Sequence, residues 1–353
     1  MKVLPHVASV RSTTRTASAR SALVVCTVGA LFSLRGGDTS SAAPTTQGAF
    51  VFAKPHANTP AVQELIRTKF ADVGVVIESE GEITGEAIDA NGHIDQHYYA
   101  IASKATIMKP KDLNVPTEKF ADFFGEEWAI VLAENRAFNA IDMKAKLGGD
   151  DAKFEELWDA TADGKRIKFG GGFYCGCIEV EGTKYYTFNA FFMSMRGKFT
   201  EPGSSIHYYV VSFDPSKLSW ADFRGKVLGP TNPADAPEGS LRGLINADWE
   251  KLGLSAAPDT GNNGVHASAS PFEGFAERLN WLGLASAADD AFGQRLLDEG
   301  VPEAMLKEWT VDPQVVLPDS GAKGSLFDQL EDLDLEECVA ACKAIAAAQQ
   351  VPA

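Results

Sequence analysis

The chain has 353 residues, 45% hydrophobic and 23% charged, which allows one large or two ordinary domains and excludes wholesale disorder. Its formal net charge of −16 excludes a general electrostatic attraction for nucleic acid, so a phosphate ligand has to be gripped by a few local basic groups.

The first 37 residues carry Lys2, Arg11, Arg15, Arg20 and Arg35 among Ser, Thr and Ala, and no acidic residue. Residues 1–44 therefore read as a removable targeting leader. Its apolar stretch, ALVVCTVGALFSL from Ala22 to Leu34, falls short of the roughly 20 residues that span a bilayer, so no stable membrane insertion of the mature chain is expected. The composition favours an organellar presequence, mitochondrial first, with a plastid or secretory route as the alternative. Without the five basic residues and Asp38 of this leader the formal charge falls to −20.

GAFVFAK (48–54) predicts a buried strand that ends at Lys54-Pro55. Thr59 then caps a helix with Pro60 at its first position, and Val62, Leu65, Ile66 and Phe70 recur at helical spacing as far as Gly74. VVI (75–77) restarts a strand, and residues 84–104 predict a second helical stretch, interrupted by Asn91-Gly92. Residues 105–205 change character and read as an insertion. They predict a helix over 150–160 and a hairpin turning at Glu181-Gly182, which has the option of extending the first sheet, with FNAFFMSM (188–195) as its packing face. IHYYVVSF (206–213) predicts a strand and SKLSWADFRGKV one short helix. LGPTNPADAPEGSLRG is dense in turn formers. Residues 284–353 form an acidic extension whose end, LFDQLEDLDLEECVAACKAIAAAQQ, predicts a single helix.

Cys26 belongs to the leader. The other four cysteines fall in two close pairs, Cys175/Cys177 and Cys338/Cys342. Each pair shares a face, so a four-sulfur metal site is conceivable, although small buried hydrophobes are the simpler reading.

One histidine stands out. In GNNGVHASAS, His266 lies among small residues that leave its ring uncovered, four residues before Ser270-Pro271-Phe272-Glu273, a capping box with Pro at N1. Glu277, at the edge of the following helix's apolar stripe, can reach back to one ring nitrogen and leave the other free as a nucleophile. The helix N-terminus favours an anionic substrate, phosphate first. A loop histidine bonded to backbone is the alternative.

Distant segments carry a resemblance. Gly229-Pro230-Thr231-Asn232-Pro233-Ala234-Asp235, then Glu238-Gly239-Ser240-Leu241-Arg242-Gly243, then Asn263 to Ser270 and Glu277, are similar to the motifs of the nucleoside diphosphate kinase family, with Lys54 at the end of the first strand and His97-Tyr98 upstream. The resemblance covers roughly 48–104 and 206–282. It implies an α/β fold, a ferredoxin-like α/β sandwich with an antiparallel four-stranded sheet, whose core is 45–104 and 206–283. It further implies phosphoryl transfer from a nucleoside triphosphate to a nucleoside diphosphate through a phosphohistidine. His266 would be the nucleophile, Glu277 its orienting partner, and Ser268 a hydroxyl linking these groups or the phosphate. Lys54 and Arg242 would neutralise phosphoryl oxygens, Thr231 and Asn263 would contact phosphate and sugar, and Tyr98 would join the substrate site. The second phosphate arginine falls at Gly225, flanked by Arg224 and Lys226, and Arg224 is the candidate. Magnesium would arrive on the nucleotide, with no metal held by the protein itself, and a homo-oligomer is possible. The sequence departs from the family at His56, Ala267 and Ala269, which keeps a non-catalytic nucleotide-binding or structural module as the alternative. A protein histidine kinase or phosphatase would use the same nucleophile.

Overall fold

β1, Gln47–Ala53, is buried along nearly its whole length because apolar side chains leave both of its faces. The structure, a computed structural model, describes residues 46–349, so the predicted leader and Cys26 lie outside the described residues. β1 sits inside a four-stranded sheet with β2 (Val76–Thr84), β7 (Ser205–Phe213) and β8 (Val265–Ala267). The order is β2-β7-β1-β8 and every neighbouring pair is antiparallel. Ala49, Val51 and Ala53 meet Val62, Ile66 and Phe70 of the helix Pro60–Asp72 on one face. On the other, Phe50 and Phe52 meet Ile88, Ile94, Phe199 and Trp281. β2 is the polar edge, VIESEGEIT, whose charges discourage pairing with another chain.

The helical stretch expected over 84–104 is broken at Gly92, which takes φ 66°, a conformation that glycine adopts without penalty. Helices Gly85–Asn91, His93–His97 and Tyr99–Ala102 result, and the break turns His97 toward the sheet.

Residues 105–205 build a second four-stranded sheet, ordered β3-β6-β5-β4, from β3 (Ala137–Asn139), β4 (Arg166–Gly170), β5 (Phe173–Val180) and β6 (Thr183–Phe188). The β5–β6 hairpin turns at Glu181 and Gly182, at φ 50° and 77°, as the primed hairpin turns require. It therefore forms its own sheet and does not widen the first. FNAFFMSM packs against the hairpin as expected, but from a helix and not from the strands: Phe192 and Met193 share a core with Ile178 of β5. Asn189, at φ 49°, ends the strand, and its side chain ties Ile101, Gly172 and Tyr174 together through backbone hydrogen bonds of 2.7–2.9 Å. The chain then enters the helix Phe191–Thr200. That helix gives Phe192 and Met193 to the core containing Phe154 and Trp158, and Phe199 to the core beneath β1.

The cysteine pairs occupy separate cores, Cys175 and Cys177 in one and Cys338 and Cys342 in the other, and all four are buried and free. Their separation overturns the four-sulfur site. The predicted single C-terminal helix also breaks, at Glu331–Asp334, between Leu326–Leu330 and Leu335–Gln349, with Asp332 at φ 63°. Together with Ala291–Asp298, Glu303–Trp309 and the hairpin of β9 (Gln314–Val316) and β10 (Lys323–Ser325), these helices bury Phe272 and Phe275 of the helix Pro271–Leu282. Among the described residues no helix is long and apolar enough to cross a membrane.

A buried ion pair fastens the extension to the sheet. Arg278 Nε and Nη2 donate to Asp290 at 2.6 and 3.1 Å while Nη1 donates to the Gly48 carbonyl at 3.0 Å. Asp290 also caps Ala291–Asp298. Asp290→Ala should strand a buried guanidinium and cost about 3–5 kcal/mol, read as a lower urea midpoint. Asp290→Asn, which can keep the cap, should lose less.

Candidate active site

Strand register brings the site together. β8 pairs with the end of β1 so that His266 faces Phe52, and the two rings stack with centroids 4.6 Å apart. The glycine before them is needed: Gly264 has φ 86°, and a Cβ there would stand 3.1 Å from Ile245. Its N–H donates to His56 Nε2 at 3.1 Å and its carbonyl accepts from the Lys54 N–H at 2.9 Å. His56 thus holds the loop as a neutral ring, its pKa lowered to about 4 by burial and by Lys54.

Only half of the expected capping box forms. Ser270 Oγ accepts from the Glu273 N–H at 3.1 Å, but the Glu273 carboxylate accepts from the Ala269 N–H at 3.1 Å instead of from Ser270. The extended entry at Ser270, φ −160°, carries the chain back so that Ala269 is the residue that meets the carboxylate.

From this helix Glu277 reaches the histidine. Its Oε1 lies 2.5 Å from His266 Nε2 and 3.3 Å from His97 Nδ1, and its Oε2 accepts from Ser268 Oγ at 2.6 Å. Ser268 also accepts from the Phe50 N–H at 2.9 Å. Ser268 is fully buried and links Glu277 to β1. His97 was visible in the sequence only as half of a His-Tyr pair. In the structure it stands edge-on to His266, with centroids 4.6 Å apart, and shares the same carboxylate oxygen. With Nε2 committed to Glu277, His266 Nδ1 keeps its lone pair and has no hydrogen-bond partner among the described residues.

The surroundings hold the pair in that state. Burial first, then Lys54, Arg242 and Arg224, push the His266 pKa well below its ordinary value. Burial lowers His97 to about 3. Burial raises Glu277 to about 7 against the opposing effects of His97, Ser268 and Arg278. Glu273 is pushed up to about 8 by burial and by the charge of Glu277. Read from sequence only as a cap, it is a second acid beside the first.

The other sequence candidates are placed unequally. Arg242 is anchored by backbone carbonyls, Nη1 to Gly229 at 2.7 Å and Nη2 to Val265 at 3.0 Å, and burial lowers its pKa to about 10. Lys54 Nζ donates to the Gly261 carbonyl at 3.4 Å and falls to about 8 through burial and the charge of Arg242. Tyr98 stands edge-on to His97 at 4.6 Å, and burial raises its phenol to about 12. Asn263 donates to the Thr231 carbonyl at 3.1 Å, while its own buried Oδ1 has no partner. The Thr231 side chain is exposed, and no hydrogen bond joins its hydroxyl to the others among the described residues. Arg224 lies in the wide turn Phe223–Leu228, which follows a short helix capped by Ser219, and is already engaged by Glu331 and Asp332 at 2.6 Å each.

His97, His266 and Glu277 put three donor atoms within 4.8 Å of one another, a set that suits a transition metal. Two features favour a hydrogen-bonded cluster over a metal centre. The 2.5 Å contact leaves no room for an ion between nitrogen and oxygen, and Lys54, Arg242 and Arg224 oppose a further cation.

No family model matches the chain, and no curated protein matches it. Among solved structures it is similar to a nucleoside diphosphate kinase from Encephalitozoon cuniculi in its apo form, at 14% identity over 67% of this chain and 90% of that one, TM-score 0.33. It is similar also to an NDP kinase from Pyrobaculum aerophilum, at 16% identity over 67% of this chain and 95% of that one, TM-score 0.33. At this identity and score the likeness carries no argument about activity.

Glu273 yields a test with a definite sign. Its folded pKa of about 8 lies above the ordinary 4.5, so between those values the folded chain holds a proton that the unfolded chain releases, and this contribution to stability is lost as pH rises through the window. Glu273→Gln keeps an acceptor for Ala269 and cannot ionise. Urea unfolding at pH 5 and pH 8 should show the variant gaining on the parent with rising pH, by of order 1 kcal/mol or more. A constant difference would mean that Glu273 ionises normally.

Proposed function

We propose that the chain is a nucleoside diphosphate kinase-like phosphotransferase with a ferredoxin-like core, in which His266 carries the phosphoryl group. The observation that supports it is the 2.5 Å contact from Glu277 to His266 Nε2, which frees Nδ1 where three cations bear on the ring. The lone pair of Nδ1 attacks the terminal phosphorus of a nucleoside triphosphate. An N–P bond forms, the P–O bond to the leaving diphosphate breaks, and the oxygen takes the electron pair. In the return step a β-phosphate oxygen of a second nucleoside diphosphate attacks the same phosphorus, and the N–P electrons go back to Nδ1. The proton on Nε2 stays in the bond to Glu277, whose carboxylate stabilises the positive charge that grows on the ring.

Lys54 and Arg242 neutralise the phosphate oxygens, with Arg224 as a third cation. Asn263 Oδ1, buried without a donor, suits a sugar hydroxyl, with Thr231 and Tyr98 beside the phosphates. Phosphoryl transfer needs such positioning and charge more than covalent chemistry. Magnesium belongs to this reading as part of the nucleotide substrate, and delivery to an organelle and self-assembly remain parts of it. Excess negative charge weighs against nucleic acid as a partner. One observation favours the non-catalytic alternative: the engagement of Arg224 by two carboxylates.

Incubation with γ-labelled ATP and magnesium should give an acid-labile, alkali-stable label that moves to added GDP. His266→Ala should abolish labelling while nucleotide binding largely survives, and full exchange by that variant would move the chemistry elsewhere. Glu277→Gln should slow exchange by about 10²-fold or more, with a smaller effect on nucleotide binding. Unchanged turnover in a stably folded Glu277→Gln protein would leave Glu277 a purely structural role.

A further inference from the structure

Glu331 and Asp332 lie more than a hundred residues from Arg224 in sequence and against it in space. Arg224 Nη2 is 2.6 Å from Glu331 Oε1, and Nη1 is 2.6 Å from Asp332 Oδ1. The acidic segment is firmly seated. The Asp332 N–H donates to the carbonyl of Ala269, three residues after His266, at 3.0 Å. Asp334 Oδ1 accepts from the Trp220 N–H at 2.7 Å and from Gln47 Nε2 at 2.9 Å, and Leu330 and Leu335 are buried on either side. Asp332 holds φ 63°, a region that non-glycine residues seldom enter.

Two carboxylates against one guanidinium leave that corner with net negative charge, at a place where an incoming phosphate needs a cation. Carboxylate and phosphate both offer paired oxygens to the same guanidinium fork, so the two compete for it. We propose that Glu331 and Asp332 form an internal latch that occupies Arg224 in place of phosphate oxygens, so that an anion entering the His266 site must first draw the guanidinium away from the C-terminal segment. The inference rests on reading Arg224 as a phosphate cation. The exchange is feasible because the side chains of Arg224, Glu331 and Asp332 are 31%, 44% and 47% exposed, and ion pairs so exposed are weak. The apparent affinity for anions is then reduced by the fraction of molecules in which the latch is closed.

The test is calorimetric binding of inorganic tripolyphosphate, and of MgATP, to the full chain and to the double variant Glu331→Gln/Asp332→Asn, whose side chains keep their size. The expected result is about tenfold tighter binding by the variant at low salt, a gain that shrinks as salt screens the charges. The same pair of changes in an Arg224→Ala background should give no gain. Equal binding overturns the latch, and weaker binding overturns it in favour of carboxylates that aim the guanidinium. Because the readout is binding, it separates from the transfer reaction. Absence of label on wild-type His266 would sink the phosphotransferase reading and leave the latch standing, whereas intact labelling with unchanged binding would sink the latch alone.

Discussion

The Glu277 carboxylate is the point on which the candidate site depends. It is buried between a helix and a sheet, where an ion is costly, and it is tolerated because three neighbours compensate: His266 and His97 on one oxygen, Ser268 on the other. His97 comes from a distant helix while His266 and Ser268 leave the same strand end, and Ser268 is itself bonded to β1. The carboxylate orients His266 only if the strand register, the Gly92 break and the Pro271 helix are all in place. The burial that raises Glu277 also lowers both imidazoles, so at neutral pH the two rings are uncharged.

The two segments added to this arrangement are not passive. The helix Phe191–Thr200 divides its apolar side chains between the second sheet's core and the core beneath β1. The C-terminal extension reaches the site at two depths. The Arg278–Asp290 pair fixes the base of the Pro271 helix, which carries Glu277. Farther out, Glu331 and Asp332 neutralise one of the cations that bear on His266. Both effects are electrostatic, but burial separates them. The inner pair is screened little and is structural, while the outer one is partly exposed and open to exchange with another anion.

What could be read from residue order was local. Thr59-Pro60 and Ser270-Pro271 mark helix starts because a cap and its first turn lie within a few residues of each other, and Glu181-Gly182 marks a hairpin because its turn tolerates positive φ only with such residues. The eleven-residue interval from His266 to Glu277 is also short enough for one loop and two helical turns to close it, and the structure makes that contact at 2.5 Å. The half-formed capping box shows the limit of this reasoning. Glu273 was a sensible partner for its own helix end, but the fold gave its carboxylate a different donor and a buried neighbour of like charge.

By itself, then, the sequence determined where most helices and strands begin and which carboxylate lies within reach of His266, because those features follow from backbone propensity and spacing along the chain. The ring that small neighbours were expected to leave uncovered is instead covered by Phe52 and His97. Only the tertiary structure decided that His97 shares the carboxylate, that Arg224 is claimed by an acidic turn, and that the four cysteines are split between two cores. It also decided that the 105–205 hairpin stays out of the first sheet. Such pairings join residues a hundred or more positions apart, as Arg224 and Asp332 are, or Gln47 and Leu335. They are set by which apolar faces bury against one another, and no local pattern of charges or rings encodes that choice.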